Sequence, residues 1–187
     1  ERVYIEQSIF NQMIDLLKQE IATLSSGPSG SDQIGAICTQ QNLDKIKQHI
    51  ETSEPQETFS GKVSNSSGMF VAPTVVVEPK EGSDINHEET FGPVVCVHSF
   101  KSDDKAVLLA NKGSYNLSAS VFGRDKRRLR YFTKHIKAGS ISINDIQTHY
   151  GIARLPFGGI GKSGLGRRHG EEGIIAFTNH KSVVITI

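Results

Sequence analysis

The sequence predicts an α/β fold: an open, mostly parallel sheet with helices on both faces, ending in a carboxyl-terminal strand. Two observations carry this. Short β-branched runs alternate with segments of helical period, the order that builds a parallel sheet covered on both sides. The run Pro93-Val94-Val95-Cys96-Val97-His98-Ser99-Phe100 is apolar almost throughout, as a strand buried on both faces must be.

The elements follow in order. Residues 2–5 read as a short strand, and residues 8–24 place Ile9, Met13, Leu16, Leu17, Ile21 and Leu24 on one helical face. Residues 25–31, rich in Ser and Gly, read as a loop within one domain. A helix is expected over 39–52 with Leu43, Ile46 and Ile50 inward, and Thr39 or a neighbour as its cap. Residues 59–63 suggest a strand, 65–68 a turn, and 69–77 a strand interrupted by Pro73. After the strong strand at 93–100, Asp103 or Asp104 is the expected cap of a helix reaching Asn111. Residues 118–122 form a strand, 126–136 a helix, and 140–144 another strand. Lys181-Ser182-Val183-Val184-Ile185-Thr186-Ile187 carries a strong strand signal, either as an internal edge or as the oligomerisation strand. The organisation read from this is one domain over 1–180 followed by that strand over 181–187. No fixed-period repeat is present.

Composition narrows the function. The 187 residues are 36% hydrophobic and 22% charged with a net charge of +1, which argues against a dedicated nucleic-acid surface. The basic run at 124–130 falls on the helix that carries Leu129, Phe132 and Ile136, and it reads as a solvated face. No stretch approaches the roughly 18 apolar residues of a membrane span and no signal-peptide pattern opens the chain, so a cytoplasmic protein is expected. The histidines show no metal-ligand spacing, and no metal is expected. With two cysteines, a disulfide is not expected. Cys96 reads as a buried apolar thiol and Cys38 as a structural one near a helix start.

The glycine-rich segment 155–167 approaches two nucleotide-binding patterns without fully meeting either. A Walker A loop needs glycine where Pro156 stands. Gly159-x-Gly161-x-x-Gly164 has the spacing of a dinucleotide fingerprint but follows no clean strand and precedes no suitably placed acid. The loop therefore reads as structural, bordering a site.

Together with its neighbours, that loop resembles the carboxyl-terminal part of the aldehyde dehydrogenase superfamily. The residues that carry the resemblance are Pro73-Thr74-Val75, Glu88-Glu89-Thr90-Phe91-Gly92-Pro93-Val94-Val95, Ala110-Asn111, Ser118-Ala119-Ser120-Val121-Phe122 and Ala138-Gly139-Ser140-Ile141-Ser142-Ile143-Asn144-Asp145, in family order from Glu1 to about Ile187. Asn144-Asp145, His149 and Gly161 are more similar to the fatty and aromatic aldehyde branch than to the common Tyr-Lys form. Tyr115-Asn116-Leu117 departs from the usual Tyr-Gly-Leu, and asparagine would preserve a left-handed turn there.

The resemblance implies an enzyme that oxidises aldehydes to carboxylic acids with NAD or NADP, through a thiohemiacetal and a thioester on a cysteine. By the same resemblance, that cysteine and the cofactor domain lie upstream of Glu1. No catalytic residue is therefore assigned, and this chain alone is expected to be inactive and to hold no cofactor tightly. Glu89 is implied to hold the ribose beside the nicotinamide and Phe91 to pack against it, although Glu88 and Glu89 also read as a solvated turn pair and Phe91 as core. Gln147, His149, Tyr150 and Phe157 are implied to border the aldehyde entrance, and His149 reads equally well as a surface histidine. A homo-oligomer is expected, with no nucleic-acid or membrane partner. The alternative is a non-catalytic binding or self-association module derived from the same fold.

Overall fold

The computed structural model describes residues 1–65, 67–146 and 148–187, which form two compact units, Glu1–Gly113 and Ser114–Ile187. The first unit begins with β1 (Arg2–Glu6), a 3-10 turn (Gln7–Ile9), α1 (Phe10–Ile21), β2 (Ser25–Ser26) and α2 (Gln40–Glu51). It continues with β3 (Glu57–Ser60), β4 (Lys62–Val63), β5 (Thr74–Val77), α3 (Asp84–His87), β6 (Val94–Phe100) and α4 (Asp103–Ala110).

Its main sheet has the order β1-β6-β5-β3, with β1, β6 and β5 mutually parallel and β3 antiparallel at one edge. Side chains alternate between the faces of a strand, and here both faces are covered. On one side Val75, Val77 and Val97 pack with Ile5 and with Phe10, Ile14 and Ile21 of α1. On the other, Val76, Val94 and Cys96 pack with Leu43 and Ile46 of α2 and Ile85 of α3. All four residues of β5 are buried, which explains why this strand shows no polar alternation.

The expected α1 face is corrected at two positions: Ile9 and Leu16 are exposed, while Ile21 is buried and Met13, Leu17 and Leu24 pack half-buried against the same cluster as Phe10 and Ile14. Ile9 belongs to the 3-10 turn ahead of the helix. In α2, Thr39 caps as expected, its side chain accepting from Asn42 N. In α4 the cap is Ser102, accepting from Lys105 N, so Asp103 and Asp104 occupy the first turn instead, where carboxylates favour the helix dipole. The strand expected over 69–77 is regular only from Thr74. Pro73 has no N–H to give a ladder, although its carbonyl accepts from Gly61 N at 2.8 Å. In the turn expected at 65–68, Ser66 lies outside the described residues.

The second unit holds β7 (Tyr115–Asn116), β8 (Ser118–Val121), α5 (Lys126–His135), β9 (Ser140–Ile143), α6 (Thr148–Gly151), β10 (Ile160–Gly161) and α7 (Gly170–Ile175). β8 and β9 are parallel, and β7 pairs antiparallel with β10. Asp125 caps α5 by accepting from Arg127 N and Arg128 N, and Leu129 and Phe132 form its buried stripe. Asn116 is extended in β7 opposite Ile160, so the left-handed turn anticipated there is not used. Asn144 is the left-handed residue instead, at φ 52°. Its amide bridges Gly123, accepting from the N–H at 2.8 Å and donating to the carbonyl at 3.0 Å.

Residues 181–187 have no strand partner among the described residues, and Val184 is 90% exposed. The strand signal in the tail is thus not satisfied among the described residues.

Candidate functional site

Within the first unit, the segment 88–92 lies across one face of α2. Asn42, Lys45 and His49 are spaced i, i+3 and i+7, which brings them to one side of the helix. Asn42 Nδ2 donates to the Phe91 carbonyl at 2.8 Å and Lys45 Nζ donates to the Glu89 carbonyl at 2.8 Å. His49 Nδ1 lies 3.1 Å from Thr90 Oγ1, and both side chains are buried. Burial is the main reason the His49 pKa falls below its ordinary value, partly offset by Asp84. Gly92 rests on Ile46: a Cβ at that position would lie 2.5 Å from Ile46 Cδ1.

The other side of the segment is held by the first strand. Phe91 N donates to Glu1 Oε1 at 2.8 Å, and the Glu1 carbonyl accepts from Cys96 N at 2.8 Å. With these anchors Phe91 adopts φ 52°, a left-handed backbone that costs an L-residue about 1–2 kcal/mol. Its ring is 71% exposed. The Glu89 side chain is half-buried, and its carboxylate has no hydrogen-bond or ion-pair partner among the described residues. Glu89 and Phe91, singled out from the sequence, are thus brought together on one anchored segment. Phe91 is a displayed ring and not a core residue.

A second candidate cluster occupies the second unit. His149 is buried, with Nδ1 2.8 Å from Ser142 Oγ, which rules out the reading of His149 as a surface histidine. Its ring stacks on Phe157 at 5.9 Å, and Tyr150 meets Phe157 edge-on at 5.1 Å. His169 completes the cluster, stacked on Phe157 at 5.9 Å and 5.8 Å from Tyr150. Phe157 is pinned by reciprocal backbone hydrogen bonds with Arg168, each 2.7 Å. Asp145 starts α6 by accepting from Thr148 N at 3.1 Å and from the Thr148 hydroxyl. His149, Tyr150 and Phe157 therefore converge in one ring cluster. Gln147 lies outside the described residues.

The glycine loop is structural at the positions that decide it. Gly161 has φ 64° and pairs with Tyr115 in β7, and a Cβ there would press on the Ser114 carbonyl at 2.6 Å.

Sequence reading missed Glu1, Asn42, Lys45, His49, Thr90, Ser142 and His169. The signal for the α2 residues was their i, i+3, i+7 spacing on the polar side of an amphipathic helix. Its target, more than forty residues away, was not readable.

Among the described residues, no group of His, Cys, Asp or Glu could hold a metal ion. Cys96 is buried, and desolvation pushes its thiol up to about 12, the opposite of what a nucleophile requires. Cys38 is exposed. No helix among the described residues is long and apolar enough to cross a membrane.

Comparison with known proteins gives a consistent picture. The model of the aldehyde dehydrogenase family matches residues 1–183. Aldehyde dehydrogenase [NAD(P)+] 2 of Saccharomyces cerevisiae is 31% identical over all of this chain and 39% of its own length. The 4,4'-diapolycopene aldehyde oxidase of a Methylomonas species is 30% identical over 95% of this chain and 34% of its own. The crystal structure of betaine aldehyde dehydrogenase from Staphylococcus aureus in complex with NAD+ superimposes with a TM-score of 0.82 at 26% identity, over 94% of this chain and 36% of that one. The chain spans well under half the length of these relatives.

Proposed function

This chain belongs to the aldehyde dehydrogenase family, and from that premise we propose that it forms part of an NAD(P)-dependent enzyme that oxidises aldehydes to carboxylic acids. The observation that carries the reading is the pairing of a carboxylate without a partner among the described residues, Glu89, with an exposed ring, Phe91, on a segment held in a strained conformation. Backbone strain persists where surrounding structure over-determines it, and such places are characteristically functional.

The donor set suits the ribose and nicotinamide end of a dinucleotide. A carboxylate with free lone pairs accepts from vicinal hydroxyls, and a flat ring provides apolar contact for a flat heterocycle. When bound, the cofactor would supply the hydride acceptor. Glu89 orients the sugar and Phe91 limits the tilt of the ring. His149, Tyr150 and Phe157 border the aldehyde entrance, and these three ring-bearing side chains favour apolar or aromatic aldehydes. The nucleophile is a cysteine outside this chain, consistent with the buried, proton-retaining Cys96 thiol. The chain by itself then oxidises no aldehyde.

The exposed apolar tail supports a further part of the proposal. Val183, Val184, Ile185 and Ile187 are all solvent-facing here, and a strand of this kind is completed by pairing with a second subunit. The same observation favours the alternative in which the chain acts only as a self-association module.

Aldehyde-dependent NADH or NADPH formation separates the two. The full-length protein should turn over with Cys38→Ser and Cys96→Ser in place, and the isolated chain should not. Turnover by the isolated chain that disappears with Cys38→Ser would overturn the assignment of the nucleophile.

A further inference from the structure

We propose that His49 and Thr90 are positioning residues that set the display of Glu89 and Phe91 toward the cofactor, through the buried contact between the imidazole of α2 and the hydroxyl at the centre of the segment. The inference rests on the reading of Glu89 and Phe91 as the cofactor contact.

The geometry follows from burial and backbone. Thr90 is turned inward and is 3% exposed, whereas Glu89 beside it is half-buried and Phe91, with its left-handed backbone at φ 52°, is exposed. What fixes Thr90 inward is the one polar partner of its side chain among the described residues, His49 Nδ1 at 3.1 Å. The bonds from Asn42 and Lys45 go to backbone carbonyls and locate the segment, but they leave open which side chains face which way. Gly92 seated on Ile46 fixes its height over the helix. The His49–Thr90 contact is thus the only side chain to side chain bond between α2 and residues 89–91 among the described residues, and the one that sets orientation.

Burial also keeps the His49 ring neutral at ordinary pH. A neutral ring with one donor and one acceptor nitrogen can meet a hydroxyl in either tautomer. Losing either partner strands a buried polar atom, which the chain can relieve by rotating the segment.

The test uses the full-length enzyme and equilibrium binding of NAD and NADP followed by quenching of protein fluorescence, with kcat and KM alongside. Thr90→Val and His49→Leu remove the contact at nearly constant volume. Thr90→Ser keeps the hydroxyl, and His49→Asn places an amide where Nδ1 now lies. We expect Thr90→Val and His49→Leu to weaken dinucleotide binding about five- to tenfold and to raise the cofactor KM more than they lower kcat, the effect of one lost buried hydrogen bond. Thr90→Ser and His49→Asn should restore most of the affinity.

Glu89→Gln separates the levels of the argument. If it weakens binding while Thr90→Val and His49→Leu bind as the parent does, the positioning role is overturned and the cofactor contact stands. If Glu89→Gln and Phe91→Ala leave binding unchanged, both are overturned. A Thr90→Ser protein that binds as poorly as Thr90→Val also contradicts the proposal. Should His49→Leu fail to fold, the Thr90 pair decides alone.

Discussion

Phe91 donates its backbone N–H to the Glu1 carboxylate at 2.8 Å while holding a left-handed backbone at φ 52°, so the strained residue is tied to the start of the first strand. Glu1→Ala removes that acceptor. Hydrogen exchange at Phe91 N should then accelerate while the amides of β5 and β6 keep their protection. Equal acceleration across the sheet would show that Glu1 supports the fold in general and has no special part in holding the segment.

Phe91 itself should separate function from stability. Phe91→Gly releases the left-handed strain and should leave the Tm unchanged or raise stability by about 1 kcal/mol. The same substitution, and Phe91→Ala, should weaken NAD binding by about three- to tenfold through loss of the ring contact. A large fall in Tm with Phe91→Gly would mean that the ring packs where the structure shows it exposed.

The pH dependence of stability follows from His98. The ring sits 3.7 Å from Glu78 and stacks on Tyr4 at 5.6 Å, and burial, outweighing the pull of Glu78, lowers its pKa below the ordinary 6.5. The unfolded chain therefore binds a proton at a higher pH than the folded one does. Stability is fully present above about pH 6.5 and is lost as pH falls from there toward the folded pKa. His49 adds to the slope in the same direction. Urea titrations between pH 7.5 and 5 should show this decline, and His98→Gln should flatten it. An unchanged slope in that variant would assign the dependence to other groups.

Ile46 joins the core to the site. It is fully buried, packs in the cluster that covers one face of the sheet, and carries Gly92. Ile46→Ala should cost about 2–5 kcal/mol by denaturant titration. The added loss of support beneath residues 88–92 should weaken NAD binding even at temperatures where the variant is folded. Intact affinity in the folded variant would uncouple the core from the site.

The two thiols should react very differently. Iodoacetamide should alkylate exposed Cys38 in the native protein and reach Cys96 only after unfolding, because that thiol is buried and stays protonated to about pH 12. Peptide mass mapping before and after denaturation reads this directly.

Much of the fold was legible because its signals are local. The spans of α2 and α5, the cap at Thr39 and the buried strand β6 depend on patterns within a dozen residues, and the structure places them where expected. On α1, Met13, Leu17, Ile21 and Leu24 pack inward as read, but Ile9 falls in a 3-10 turn at Gln7–Ile9, a geometry that hydrophobic period alone does not report. The tail shows the opposite problem. Val183, Val184 and Ile185 have strand-forming side chains, but a strand exists only once a partner supplies the ladder, and none is present within the described residues.

The site was legible in its displayed residues and not in its supports. Glu89 and Phe91 stand in a short ordered motif, whereas Asn42, Lys45 and His49 look like the ordinary polar face of an amphipathic helix until the fold lays residues 88–92 across it. His149 could not be resolved from sequence because Ser142, which holds it, is an unremarkable serine on β9.

The most direct test of the account is equilibrium binding of NAD to the full-length enzyme carrying Glu89→Gln, measured beside its Tm. Glutamine keeps the length of the side chain and removes its charge. The account predicts affinity reduced about tenfold or more, with the Tm unchanged because the carboxylate has no partner among the described residues. Parental affinity for both NAD and NADP in that variant would contradict the assignment of the segment 88–92 as the cofactor contact.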